Sequence, residues 1–167
     1  MNELSKREKL EACYTITKDK ITWKGLDCTG YRLPTDAEWE YAGRGGVAEP
    51  IYGPMDDIAW HFDNSNTTGS ATRQPVGKKQ ANAYGLYDMM GNASEMTWDE
   101  YKETAFEKDS TDPIIGGLEV KDVSLQRTVR GSSFVSAPSY ATIAARYEAP
   151  PTGADWVGFR PVRTVKK

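Results

Sequence analysis

The sequence predicts an α+β domain with few helices, short strands and much irregular loop. Three observations carry that expectation. Only residues 35–46 combine a helix start, an amphipathic run and a helix stop. Runs of alternating strand formers are short, at residues 14–23 and again three times after residue 126. Between them, residues 47–80 are crowded with Gly, Pro, Asn, Asp, Ser and Thr, the residues of turns and surface loops.

Residues 1–12 read as the tail of a helix, polar except for Leu4, Leu10 and Ala12. YTIT-KDK-ITW then alternates strand formers around a charged turn, the pattern of a hairpin. Cys13 and Cys28 bracket it, close enough to be bridged; whether they pair depends on the redox compartment. A bridged loop of this length contributes on the order of 3 kcal/mol in the chain-entropy account. Thr35 with Glu38 forms a capping box, Pro34 keeps the helix from starting earlier, and Gly45-Gly46 ends it. Trp39 and Ala42 lie on its buried side. Residues 63–74 are the most mobile candidate, and Asn66-Thr67-Thr68 within them is a glycosylation triplet on paper. Residues 99–124 read as a solvated connection. Strand-like runs near 127–134, 142–147 and 157–165, divided by turns, complete the chain.

Composition narrows the function classes. At 167 residues one domain is the default. Apolar residues make up 38%, with five Trp and nine Tyr supplying large buried surfaces. A net charge of −3 with scattered Lys and Arg argues against nucleic acid as the partner. No apolar run reaches the roughly 18 residues that span a bilayer, so membrane insertion is not expected. The first residues follow a polar helical pattern and not a leader pattern. The one histidine, His61, sits among aromatic and apolar neighbours and reads as structural; it excludes a metal centre built on several imidazoles.

The segment NAYGLYDMMGNASEMTW, residues 82–98, concentrates aromatics, a glycine turn and two carboxylates. Asp88 and Glu95 flank Gly91, whose freedom would permit a tight reversal aiming oxygens at one point. Oxygen-only donors favour calcium over zinc or copper. The alternative is a hairpin turn at Gly91-Asn92 with both carboxylates solvated.

With YRLPTDAEWEYAGRGG at 31–46, RTVRGSSF at 127–134 and the later AAR and GFR, this segment resembles the formylglycine-generating enzyme family, also called sulfatase-modifying factors. The similarity runs from about residue 2 to 165 and lacks the family's N-terminal portion. It implies a C-type-lectin-like fold. It also implies a structural calcium site in which Asp88 and Glu95 give side-chain oxygens while Gly91 and Ala93 give backbone oxygens.

The family's chemistry uses two cysteines that bind copper(I), and its pattern places them at Ser136 and Ala141. A hydroxyl is too hard for that ion and a methyl is no ligand, so no copper is expected and no catalytic residue is assigned. Ser94 stands where the family has tryptophan, and Ser133 matches its active-site serine without a base to activate it. Arg146 and Arg160 match the family's arginines and read as structural ties.

The C-terminal segment also resembles the variable proteins of diversity-generating retroelements, which bind many ligands through surface residues in the corresponding interval. Here that implies Val135, Ser136, Ala137, Ser139, Tyr140, Tyr147, Glu148, Asp155 and Trp156, with the aromatics as rigid contacts. The reading is a calcium-stabilised, non-catalytic module for a protein or small-molecule ligand. The alternative is a formylglycine-generating oxidoreductase or an accessory paralogue of one.

Overall fold

The computed structural model describes residues 1–66, 69–103, 111, 113–122 and 124–166. After α1 (Asn2–Arg7) the hairpin forms as expected from β1 (Tyr14–Ile16) and β2 (Ile21–Trp23), paired Tyr14 to Trp23 and Ile16 to Ile21. Cys13 and Cys28 are joined in a disulfide that packs with Trp23 and Trp98.

Helix α2 (Asp36–Arg44) starts and stops where its signals lie. Thr35 Oγ1 accepts from the Glu38 amide, the Glu38 carboxylate accepts from the Thr35 amide at 2.9 Å, and Gly45 closes the end in the left-handed region at φ 56°. Its buried face lies on a four-stranded sheet. The order is β8 (Arg146–Ala149), β7 (Arg127–Arg130), β5 (Ser94–Glu100), β9 (Val157–Phe159). β7 runs antiparallel to β5 and β8, and β9 runs parallel to β5.

The join between helix and sheet is ionic as well as apolar. Asp36 and Arg130 are both 0% exposed; Asp36 meets Arg130 Nε at 3.0 Å and Arg146 Nε at 2.6 Å. Glu40, one turn later, takes Arg130 Nη2 at 2.6 Å, and the Arg130 guanidinium lies over the Trp39 ring. Trp39 is buried with Ile58, Met89, Met90 and Ile143.

Four expectations need correction. Residues 47–80 are not mere loop: they hold α3 (Met55–Ile58), β3 (Ala59–Trp60) and α4 (Phe62–Ser65), and β3 pairs in parallel with β4 (Met90–Gly91). These pieces are too short for any periodic signal. The reversal expected within 82–98 gives way early, because Ser94 onward is the inner strand β5. That strand is buried on both faces, so it lacks the alternation that marks a half-exposed strand. Residues 99–124 are more than a solvated connection: β6 (Glu119–Val120) pairs with β2, and Asp99 is buried. Within the stretches read as loop or mobile, residues 67, 68, 104–110, 112 and 123 lie outside the described ones, and the glycosylation triplet falls partly among them. The last strand-like runs are shorter than expected, β8 starting only at Arg146 and β9 ending at Phe159.

Asp99 ties β5 to two neighbours, accepting from the Asp36 amide at 2.8 Å and the Ile115 amide at 2.7 Å. Burial pushes its carboxyl up to about 6, with Asp36 adding repulsion and the two amides opposing. The folded chain therefore holds this proton more tightly than the unfolded chain, for which the ordinary value is 3.8. Its contribution to stability is fully present below about pH 4 and is lost as pH rises through about 6. The loss is on the order of 2–3 kcal/mol. Urea unfolding at pH 4.5, 5.5 and 7 checks this: the stability advantage of the parent over Asp99→Asn is expected to shrink across that range. A pH-independent difference would contradict it.

Candidate functional site

The sequence-predicted ligand residues converge only in part. Val135, Ser136, Tyr147, Glu148 and Trp156 line one cleft of about 290 Å3, and Ser94 and Ser133 complete its wall. Ala137, Ser139, Tyr140 and Asp155 lie outside that lining. Ala137 precedes a short 3-10 turn (Pro138–Tyr140) that contains Ser139. Tyr140 supports the wall from behind, its carbonyl accepting from Tyr147 Oη at 2.6 Å and Ser132 Oγ at 3.2 Å.

The cleft is built from strand ends. β7 stops at Arg130, and Gly131 and Ser132 both take positive φ, 86° and 60°. A Cβ at Gly131 would lie 2.9 Å from the Met89 carbonyl oxygen and 3.0 Å from the Trp39 ring, so only glycine fits there. The turn delivers Ser133 and Ser136 together. The Ser133 amide donates to Ser136 Oγ at 3.2 Å, and the two hydroxyls stand 3.3 Å apart. The Ser136 carbonyl accepts from the Phe62 amide at 3.0 Å, fixing this turn to α4. β8 contributes Tyr147 and Glu148, and the residue before β9 contributes Trp156.

Such a surface can bind: two aromatic rings, an aliphatic side chain, three hydroxyls and a carboxylate meet in one concavity. Among the described residues no imidazole or thiolate lines it. His61 is buried elsewhere, its Nε2 2.9 Å from Asp56 Oδ1. Ser94 and Ser133 belong to the cleft although neither was singled out as a ligand contact. The signal available was their match to the positions of the tryptophan and serine in the related enzymes.

The cation candidates form a second group. Asp88, Ala93 and Glu95 line a cleft of about 320 Å3 with Asn92. Gly91 lies outside that lining, pressed against the Trp60 backbone: a Cβ there would lie 2.2 Å from the Trp60 oxygen. Glu95 is held by Arg160, Oε2 to Nε at 2.8 Å and Oε1 to Nη2 at 2.7 Å, and by Trp39 Nε1 at 2.7 Å. Burial pushes the Glu95 carboxyl up, against the opposing pull of the Arg160 guanidinium. Asp88, itself at φ 53°, accepts from the Gly77 amide at 2.6 Å. The hard-oxygen chemistry of this group suits calcium, whereas the guanidinium on Glu95 competes with a dication. Copper(I) does not fit: Ser136 is a hydroxyl, Ala141 is 1% exposed in the apolar core, and both cysteines of the chain are in the disulfide.

The scaffold is α+β, with few helices, short strands and a loop-built cleft. The sulfatase-modifying factor enzyme 1-like domain family matches residues 2–165, and the chain belongs to that family, with its C-type-lectin-like fold. It is 32% identical over 150 residues to the formylglycine-generating enzyme of Mycobacterium tuberculosis, covering 78% of this chain and 50% of that one. It is 34% identical over 130 residues to the chaperone protein LppX of Paenibacillus barcinonensis, covering 59% and 46%. The chain thus spans about half the length of the curated relatives it matches. Among solved structures it is similar to Treponema denticola variable protein 1, with TM-score 0.75 and 28% identity over 96% of this chain and 65% of that one.

Replacing Glu95 by Gln leaves the Arg160 guanidinium without its carboxylate in a largely buried setting. The expected cost is about 2 kcal/mol, read from the urea unfolding midpoint. A loss below about 0.5 kcal/mol would mean that the pair contributes no more than a surface ion pair.

Proposed function

We propose that this chain is a non-catalytic member of its family that binds a protein or small-molecule ligand in the cleft of Val135, Ser136, Tyr147, Glu148 and Trp156. The observation that carries the reading is one of coordination. Where the family's copper thiolates would stand there are a hydroxyl on the cleft wall and a methyl in the core. A concavity stands there, with aromatic side chains that hold their shape at low entropic cost. The fold likeness to a variable protein supports the same direction.

Calcium belongs to the proposal as a structural ion held by Asp88, Ala93 and Glu95, the three of the four expected donors that line one cleft. It would supply only charge and rigidity to the turn before β5. Saturating calcium is expected to raise the melting temperature relative to chelated protein, by an amount set by mass action. If Glu95 stays committed to Arg160, the two melting curves will coincide and the calcium part of the reading fails.

Two measurements test the main reading. Incubation of the protein with copper(I), oxygen and a cysteine peptide is expected to yield no aldehyde; aldehyde formation would restore the oxidoreductase alternative. An NMR screen with a library of small aromatic and sugar fragments is expected to shift signals of Val135, Tyr147 and Trp156, with the shifts abolished in Trp156→Ala. Fragment responses that ignore this cleft would sink the binding site as drawn.

A further inference from the structure

A separate depression of about 420 Å3 lies between the β1–β2 hairpin and β9. Ile16 and Ile21 form one wall, Met96 and Trp98 the floor, and Val157 and Phe159 the other wall; none of the described side chains lining it is charged. Ile16 is 67% exposed and Phe159 66%, a large apolar display on both rims.

β1 and β9 are both outer strands of their sheets. On β1 the outward amide and carbonyl of Tyr14 are satisfied by one side chain, Asn2, at 3.2 and 2.7 Å. The Ser94 amide donates to the Trp156 carbonyl across the parallel ladder, so strand alternation turns Gly158 toward β5 and Val157 and Phe159 away from it. The Val157 amide folds back onto the Ala154 carbonyl at 2.9 Å. Among the described residues no strand pairs with the outward amide and carbonyl of Phe159.

An unpaired strand edge beside an apolar groove without charged side chains matches one kind of occupant. A small apolar molecule would leave the backbone edge unpaired, and charged side chains entering the groove would meet no charged side chain there. A strand of polypeptide satisfies both, its backbone pairing with the edge and its alternate side chains entering the groove. Treponema denticola variable protein 1 carries further polypeptide outside the shared fold, since the match covers 65% of that chain. We propose that the groove binds an extended, uncharged polypeptide segment with alternating apolar side chains, added beside β9 as a further strand.

The test is selection of a phage-displayed library of random peptides, roughly ten residues long, on the full chain. Enriched peptides are expected to alternate apolar and small polar residues. The best of them, made synthetically, is expected to slow hydrogen exchange of the Phe159 amide by about tenfold or more. Phe159→Pro removes the outward amide while leaving the bonds from Gly158 to β5, and is expected to weaken binding about tenfold. Phe159→Ala keeps the amide and is expected to weaken it less. If the proline variant does not fold, exchange at Phe159 in the parent decides alone. Absence of enrichment, or a bound peptide that leaves that amide unprotected, overturns the proposal. Protection that rises with protein concentration alone, together with a dimer in sedimentation, assigns the edge to a second copy and overturns it as well.

Discussion

The buried ion pairs between Asp36 and the two arginines of the sheet hold the position of everything else. Arg130 is on β7 and Arg146 on β8, so a carboxylate at the start of α2 gathers adjacent strands under the helix. Burying these charges has a solvation cost that their attraction only partly offsets, so the arrangement is better understood as fixing geometry than as adding net stability. Its geometric effect is plain: with Arg130 anchored, the chain reverses at Gly131 and Ser132, and the serine turn that walls the cleft begins one residue later. Glu40 and the Trp39 ring complete the cradle around the same guanidinium.

The cleft and the carboxylate group stand on opposite faces of one short stretch of backbone. Ser94 faces the cleft, and Glu95, the next residue on β5, faces Arg160 and Trp39. Strand alternation makes this division automatic. Ser136 and Ala141 take no part in the ionic ties that shape the scaffold. Those ties run through Arg130, Arg146 and Arg160.

What was legible in the sequence was local. Thr35, Glu38 and Gly45 announce both ends of α2, the hairpin is written in alternating residues, and Trp39 is placed correctly in the core. The inner strand β5 was hidden because both of its faces are buried, and β3 with β4 because two residues carry no period. At the site, five of the nine ligand candidates meet in one cleft, drawn from the turn after β7, from β8 and from the residue before β9. The partner of Glu95 had no local signature. Arg160 lies on the far side of the chain's last third, and only the parallel alignment of β9 with β5 brings them together.

The disulfide between Cys13 and Cys28 has a dynamic consequence. Both sulfurs lie inside the cluster of Trp23 and Trp98, so a reducing agent reaches them only when the hairpin lifts away. Thiol–disulfide exchange then runs at the pace of that lifting, and the rate of reduction becomes a clock for breathing motions at this edge of the molecule.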